Sequence, residues 1–507
     1  MVVLTEWPAP LFIQLCVQSA LSGRFRELST LFLTKILYMI KYYRESILLF
    51  LISTSLSYGQ GLFEQAQQTD GNIENTGYNL NGFVRSAMYA GADDAEKKLF
   101  VQSLYSQFGL SAGVKAGKYG TAYAEFRTRT GFEFNQKFSS FELREGYADL
   151  YIGPLDIRAG KQVLSWGKSS FINPSDQFSP QNRTFRSPDM DDLRLGTWAL
   201  RTNLLINSSS TLQAIWIPVY QPSVLMVEPF SFPDYIAIKA YKNRSAHMSE
   251  SSFGFKYDLR SSLLDMQISY FNGYRNTPAI AIDSLRFNFS TFEPEALSLK
   301  QTPYRIHSAG LNITVPVGSY LFRTETAWMK AFSNENSAFT PFPELSYTFE
   351  IERSGSNATV IAGYYGKYII DFKESEGNVS LITNDFTGIA DMVPLGTVPE
   401  PAMIEEIISL QINSFNSLYT YQEEEFYHAV YASASVSMFH DLVDLEIPGM
   451  YNFTSGELSF MPSLKFNITD GLALRTGAYF LSGKDSSLFD MIGPALNAGY
   501  VLLNIKF

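Results

Sequence analysis

After Gln60 no apolar stretch reaches the roughly 20 residues that a membrane-spanning helix needs, yet apolar and polar side chains alternate with period two in segment after segment, up to the last residue, Phe507. Successive side chains of a strand point to opposite faces of its sheet, so each such segment carries one greasy and one wet face. From Phe253 to Leu259, Phe253, Phe255, Tyr257 and Leu259 oppose Gly254, Lys256 and Asp258. From Glu457 to Ile468, Leu458, Phe460, Leu464 and Phe466 oppose Glu457, Ser459, Ser463, Lys465 and Asn467. The final segment sets Val501, Leu503, Ile505 and Phe507 against Leu502, Asn504 and Lys506. Inside lipid only helices and closed barrels satisfy their own backbone. A chain patterned like this enters a membrane as a barrel.

Turns give an independent count. Joins rich in Gly, Ser, Asn, Asp and Pro fall at 117–120, 153–156, 207–210, 260–262, 316–319, 354–357, 440–442 and 469–471, with longer segments between them, notably 165–194, 218–250, 273–305 and 371–426. Eight short turns with both termini on one side imply about 18 strands, with 16 as the alternative count. The expected fold is all-β: a transmembrane antiparallel barrel with short periplasmic turns, long extracellular loops and both termini periplasmic. Within 371–426, Pro401 to Leu410 reads as one short helix. That segment also holds Glu374, Glu376, Asp385, Asp391, Glu405, Glu406 and Glu423 to Glu425 against the single Lys373. A solvated acidic loop is the plain reading, and cation bridging to lipopolysaccharide the functional one.

Composition suits a wall that averages two faces: Tyr and Phe number 30 and 40, charged residues make up 18%, and the mean hydropathy is −0.05. A soluble β-sandwich would share some of these traits, but not together with an export signal and a terminal Phe. Lys41 to Arg44, the apolar run Ser46 to Leu56, then Ser57-Tyr58-Gly59 and Gln60 form a basic region, a short apolar core and a small-x-small cleavage site, the pattern of a secretory signal. The expected organisation is 1–38 upstream of a start at Met39, 39–59 signal peptide, 60–77 a short periplasmic segment and 78–507 the barrel; a membrane anchor or folded extension over 1–57 is the alternative. So short a segment before the first strand leaves no room for a plug domain, which disfavours an energy-coupled transporter. The only cysteine, Cys16, lies upstream of the cleavage site, so neither disulfides nor thiolate metal sites are expected. A net charge of −11 excludes nucleic acid as a partner.

Charged side chains on a membrane strand belong on the wet face, because lipid exposure costs up to about 2–4 kcal/mol at mid-depth. That rule selects Arg85, Lys115, Glu125, Arg127, Arg129, Arg158, Lys256, Asp258, Arg323, Glu325, Glu457, Lys465 and Arg475 as pore-lining, nine basic and four acidic. A basic wall in an acidic protein would focus anions; structural salt bridges, as between Arg323 and the neighbours of Glu325, are the competing reading.

At the end of the fifth expected strand stand Gly160-Lys161-Gln162, then Trp166-Gly167-Lys168, then Asn173-Pro174-Ser175-Asp176. These residues resemble a porin-like family of Gram-negative outer-membrane barrels in which G-K/R-Q leads into W-G and N-P-x-D, and the wider architecture is more remotely similar to alginate-export channels. The terminal Phe507 resembles the assembly signal of such barrels. Physically, Asn-Pro and Ser-Asp favour a fixed turn, and Trp166 suits an interfacial aromatic girdle. An ordered outer loop is the expected role of 165–194. In the functional version the loop folds inward and narrows the pore, with Arg183, Arg186, Asp189, Asp191 and Asp192 near the eyelet.

Imidazole bases are few, His247, His307, His428 and His440, and no nucleophile elbow, metal-ligand spacing or phosphate loop accompanies them. The expectation is a non-enzymatic, cofactor-free porin in the outer membrane that passes small polar solutes, anions among them. Its other partners would be lipid, lipopolysaccharide and, through the C-terminal strand, the barrel-assembly machinery. A conduit for hydrophobic molecules and a barrel-embedded hydrolase are the rivals.

Overall fold

The computed structural model describes residues 76–92, 98–134, 136–227, 232–241, 248–288, 293–332, 339–374 and 400–507. The expected signal peptide, the start at Met39 and most of the 60–77 segment lie outside these residues, as do Glu376, Asp385, Asp391 and His247.

The alternating segments form β1 (Thr76–Ala92), β2 (Leu99–Ala116), β3 (Gly120–Glu133), β4 (Gln136–Ile152), β5 (Leu155–Gln162), β6 (Thr197–Asn207) and β7 (Ser210–Ile217). After a small excursion, β8 (Ile236–Lys239), the wall resumes with β9 (Ser252–Arg260) and β10 (Asp265–Tyr274). A second excursion, β11 (Ala279–Asn288) and β12 (Glu293–Thr302), precedes β13 (Arg305–Val317), β14 (Tyr320–Ala331), β15 (Glu344–Ser354) and β16 (Ala358–Ile369). Helix α1 (Pro401–Thr420) then leads to β17 (Phe426–Met438), β18 (Val443–Asn452), β19 (Glu457–Phe460), β20 (Ser463–Thr469) and β21 (Leu472–Ser482), and helix α2 (Leu488–Leu496) to β22 (Ala498–Lys506).

Each wall strand pairs antiparallel with the next, and β1 closes on β22 from Phe83 opposite Lys506 to Ala90 opposite Gly499. The sheet contains 19 segments, but β19 and β20 each pair with both β18 and β21. They are two halves of one strand, so the closed barrel has 18 strands. The uninterrupted strand expected over 457–468 breaks at Met461-Pro462, because Pro462 has no N–H to give to the ladder. The inward and outward parity survives the break. All eight tight turns fall where the turn residues predict them, and the barrel begins and ends at the tight-turn end.

The outward face is the greasy one. Val501, Leu503 and Ile505 are 40–43% exposed while Leu502 between them is 5% exposed. Tyr78, Tyr119, Tyr320 and Phe439 are exposed toward the tight-turn end, and Trp198, Phe332, Phe426 and Phe453 toward the other. An apolar belt between two aromatic rims is the surface of a barrel that sits in lipid. No described helix is long and apolar enough to cross a membrane.

The seam closes through Phe507. Phe507 donates its N–H to the Gly82 carbonyl at 3.0 Å and accepts the Gly82 N–H at 2.8 Å. Its ring lies where a side chain at position 82 would go: a Cβ there would stand 2.5 Å from Cζ. Gly82→Val is therefore expected to lower the yield of folded, heat-modifiable barrel severalfold, since overpacking costs about 1–3 kcal/mol; gel mobility of unboiled samples checks this.

At the long-loop end, β12 pairs with β11 and β8 in a three-stranded sheet. Ile280, Leu297 and Leu299 of that sheet, Ile404, Ile408, Ile412 and Phe415 of α1, and Leu488 and Ile492 of α2 share one apolar core. These elements rise from different arcs of the wall, so their common core forms a capping layer across the mouth. Helix α1 starts with Pro401 at its first turn, where a missing N–H costs nothing. It runs ten residues beyond the expected end at Leu410, because its last turns bury polar groups with specific partners. Asn416 accepts the Ile280 N–H and donates to the Ile280 carbonyl, both at 2.8 Å. Tyr421, with φ 54°, ends the helix in a left-handed cap.

Candidate functional site

The segment 163–196, between β5 and β6, folds into the barrel rather than standing outside as an ordered outer loop. Trp166 is 3% exposed and donates its indole N–H to Gln213 Oε1 at 2.9 Å on β7. It meets Phe178 edge-on at 4.8 Å. The wall is carved to admit it: a Cβ on Gly254 would stand 2.7 Å from the indole. Trp166 thus belongs to the lumen and not to the aromatic girdle, since its N–H and ring both find partners inside. Gly167 has φ +105°, a conformation that side chains avoid, and a Cβ there would reach 2.6 Å from Asn173 Oδ1. Asn173 to Asp176 form a turn closed by the Asp176 N–H on the Asn173 carbonyl at 3.0 Å. The Asp176 carboxylate then accepts from Ser165 Oγ (3.3 Å), from Ser179 and from Arg194 (2.8 Å), stapling the two ends of the loop. Burial pushes this carboxyl up, against the pull of Ser179 and Arg194.

From that anchor the loop crosses to the opposite arcs of the wall. Glu325 on β14 accepts three backbone N–H groups, Lys168 at 3.0 Å, Ser169 at 3.3 Å and Ser175 at 2.7 Å. Glu350 on β15 accepts the Ser170 N–H at 3.0 Å and its hydroxyl at 2.9 Å. Toward β1 to β4 the loop presents Asp192, which pairs with Arg85 and, at 2.8 Å, with Arg127. Burial opposes ionisation of Asp192, but Arg85, Ser187 and Arg127 outweigh it and hold the carboxyl below its usual range. Arg186 pairs with Glu133 at 3.2 Å and donates to Gln102 Oε1 at 2.6 Å. Tyr105 donates to the Arg186 carbonyl at 2.9 Å. Arg129 lies between Tyr105 and Phe185, its guanidinium carbon 3.7 and 3.6 Å from the two ring centres, a cation–π clamp of wall on loop. Across the lumen, Arg475 on β21 reaches Asp189 at 2.8 Å.

Four of the five expected eyelet residues therefore come together, with Asp191 joined through its carbonyl to Arg144 at 2.6 Å and its carboxylate to Arg194 at 3.4 Å. Arg183 does not join them: it turns toward the capping layer, 5.5 Å from the Tyr419 ring.

The strand register puts all thirteen candidate lining residues on inward-facing positions, and Lys115 is exposed beside the β2–β3 turn. The expected basic excess is offset, because among the described residues every basic member except Lys115 has a carboxylate partner. Arg158 holds Asp149 (2.6 Å), Lys256 holds Asp258 (3.1 Å), Arg323 holds Glu350 and Glu352, Lys465 holds Asp444 (3.5 Å), and Arg475 holds Glu446 as well as Asp189. Arg127 also holds Glu125 at 2.6 Å, and Arg129 holds Glu133 at 3.6 Å. Glu457 is buried and accepts the Phe489 N–H of α2 at 3.0 Å. It thus ties the wall to the capping layer.

Reading the sequence missed Glu344, Glu350, Glu352 and Arg201, although Glu344, Ser346, Thr348, Glu350 and Glu352 alternate plainly with Leu345, Tyr347, Phe349 and Ile351. It missed Arg144 for a physical reason. A bulge in β4 opposite Glu125 and Phe126 inserts one residue, so the alternation changes phase there. The described histidines lie elsewhere: His307 bonds Tyr270 Oη at 2.6 Å and His428 bonds Tyr364, all on outward positions, and His440 stands in the turn between β17 and β18.

The chain is similar in fold to OccAB4 of Acinetobacter baumannii, at 10% identity over 86% of this chain and 98% of that one, with a TM-score of 0.49. OccK5 (OpdH) of Pseudomonas aeruginosa matches at 10% identity over 85% and 97%, TM-score 0.47. OpdO of the same species matches at 10% over 85% and 97%, TM-score 0.48. No curated protein matches the sequence. Residues 64–490 match the family described as "Protein of unknown function (DUF1302)", and the chain belongs to that family.

Proposed function

We propose that this barrel is an outer-membrane channel through which small polar solutes diffuse down their gradients. One observation carries the reading. A closed barrel with an apolar outer belt encloses a polar lumen, and the inward 163–196 loop, pinned to opposite arcs by Glu325, Glu350, Arg85 and Arg127, crosses it. A folded loop inside a wide barrel sets the size and charge of what passes. The tight-turn end faces the periplasm in this reading, and the long loops face the lipopolysaccharide. The C-terminal strand would be the handle for assembly.

Anions are admitted, but because the inward cations are largely paired, bulk ion selectivity is expected to be weak. A conduit for apolar molecules calls for a greasy passage, whereas the loop docks on charged and amide groups. The test is liposome swelling with sorbitol, amino acids and small carboxylates, beside planar-bilayer recording. Swelling with the small solutes and discrete conductance steps are expected. Absence of both overturns the channel, and strong cation selectivity overturns the admission of anions.

A further inference from the structure

Three basic residues at the long-loop end of the wall turn outward, away from the paired charges of the lumen. Arg305 and His307 lie on the lipid-facing side of β13, and His307 is the register partner of Lys330 on β14. Arg305 gives its terminal N–H groups to neutral acceptors, the Ser249 and Ser251 carbonyls at 3.4 and 3.1 Å and Asn272 Oδ1 at 2.9 Å. Lys330 is exposed and has no ion pair among the described residues. From β9 to β16 no described outward strand position of the wall carries a carboxylate. Charge on the outward face is tolerated at the edge of the lipid layer, and Phe332 of the aromatic rim, its ring centre 4.1 Å from that of His307, marks that edge.

The trio is arranged as a set of donors. A guanidinium cannot accept, so the Asn272 oxygen faces Arg305 and its amide nitrogen is left toward His307 Nδ1, at 3.5 Å. The Tyr270 hydroxyl meets the same Nδ1 at 2.6 Å. An amide nitrogen can only donate, so Nδ1 accepts and the ring carries its proton on Nε2. Asn272 and Tyr270 belong to β10, which leaves Nε2 on the other side of β13, where β14 brings Lys330. A guanidinium, an imidazole N–H and an ammonium thus border one patch of the rim. Next to them on the same outward face, Tyr270 and Leu311, both 41% exposed, and Trp328 continue the apolar belt.

We propose that Arg305, His307 and Lys330 form a docking site for the phosphate of an outer-leaflet glycolipid of the lipid A type. Donors above an apolar surface suit an amphiphile, whose phosphate meets the cations while its acyl chains lie along Leu311 and Trp328. Two full cations and an N–H match a phosphate monoester, which carries nearly two charges, better than the single charge of a phosphodiester lipid. The site is independent of what passes through the lumen, and rests on the reading that the long loops face outward.

The test is native mass spectrometry of the delipidated barrel in nonionic detergent, titrated with lipid A, with lipid A stripped of its phosphates and with phosphatidylglycerol. The wild-type barrel is expected to retain intact lipid A more tightly than either control lipid. Lys330→Gln, which breaks no contact among the described residues, is expected to weaken that binding about fivefold, the effect of one basic residue at an anionic surface. Adding His307→Gln should weaken it further. Arg353→Gln, which removes an outward cation at the tight-turn end of β15, should leave it unchanged. Equal retention of lipid A and its phosphate-free form, or a Lys330→Gln barrel that binds like the wild type, overturns the site. Phosphatidylglycerol held as tightly as lipid A, or release of lipid A by millimolar inorganic phosphate, overturns the glycolipid as its occupant. Orientation is read separately, by maleimide labelling of Lys118→Cys in intact cells. Labelling there would put the long loops in the periplasm and overturn lipid A as the partner, however well the site binds it in detergent.

Discussion

Replacing Glu325 and Glu350 together by alanine is expected to raise single-channel conductance severalfold and to shift tryptophan emission to the red. The two carboxylates hold the loop by four backbone N–H groups and the Ser170 hydroxyl, and a hydrogen bond to a charged acceptor contributes about 1.5–3 kcal/mol. No other anchor is as dense, because the turns around Gly167 and Pro174 leave these N–H groups with no partner of their own. Arg323 loses Glu350 but keeps Glu352 in the double variant, so it is not left without a carboxylate and the main effect falls on the loop. Fluorescence and current should move together, as Trp166 enters water when the loop leaves the wall. Unaltered conductance beside a red shift would mean that the loop is not the narrowest part of the passage.

The second large effect is expected at Glu344, at the long-loop end of β15. This carboxylate is 2% exposed and meets Lys367 on β16 at 2.8 Å, Arg275 from the β10–β11 connection at 3.4 Å and the Gln422 amide at 2.8 Å. Lys367 in turn donates to the carbonyls of Thr420 and Tyr421 at 2.9 and 3.3 Å, which end α1. A cation at a helix C-terminus is favourable, and here it is fixed in place by a buried anion. Removing one member of such a cluster costs about 3–5 kcal/mol, because the others are left charged and unpaired. Glu344→Ala should therefore loosen the capping layer while the 18-strand wall stays folded. Limited proteolysis is the measurement: cleavage within 370–425 should accelerate by at least tenfold, with the heat-modified gel shift of the barrel retained. Glu344→Gln, which keeps the hydrogen bonds and loses the charge, should fall between. Equal protease resistance in all three proteins would show that the apolar core of α1 and its sheet holds the layer unaided.

The wall was legible in the sequence because two-fold alternation is imposed on every strand by lipid outside and water inside. Phe253 to Leu259 and Val501 to Phe507 show their faces without any knowledge of neighbours, and the turn residues mark each reversal. Alternation says which way a side chain points but not what it meets. Thus Arg127 and Arg475 could be turned inward from the sequence, whereas their carboxylates, Asp192 and Asp189, come from a loop far along the chain. The loop was misjudged for the same reason. Trp166 on its own fits an interfacial girdle, and only Gly254, nearly ninety residues later, opens the space that receives it. Helix α1 shows a further limit, since its buried Asn416 looks like a loop residue until the backbone of Ile280 is placed beside it. Arg144 was hidden by local irregularity, the one-residue bulge in β4.

The seam between Gly82 and Phe507 also carries a temporal consequence. Since the N–H and carbonyl of Phe507 complete the ring of strands, closure waits until the chain has been made and delivered as far as that residue. Until then the first strand offers an open edge to whatever escorts the chain, and the order of synthesis sets the order of sealing. Any residue following Phe507 would leave from that joint, so a purification handle is better placed in one of the exposed hairpin bends.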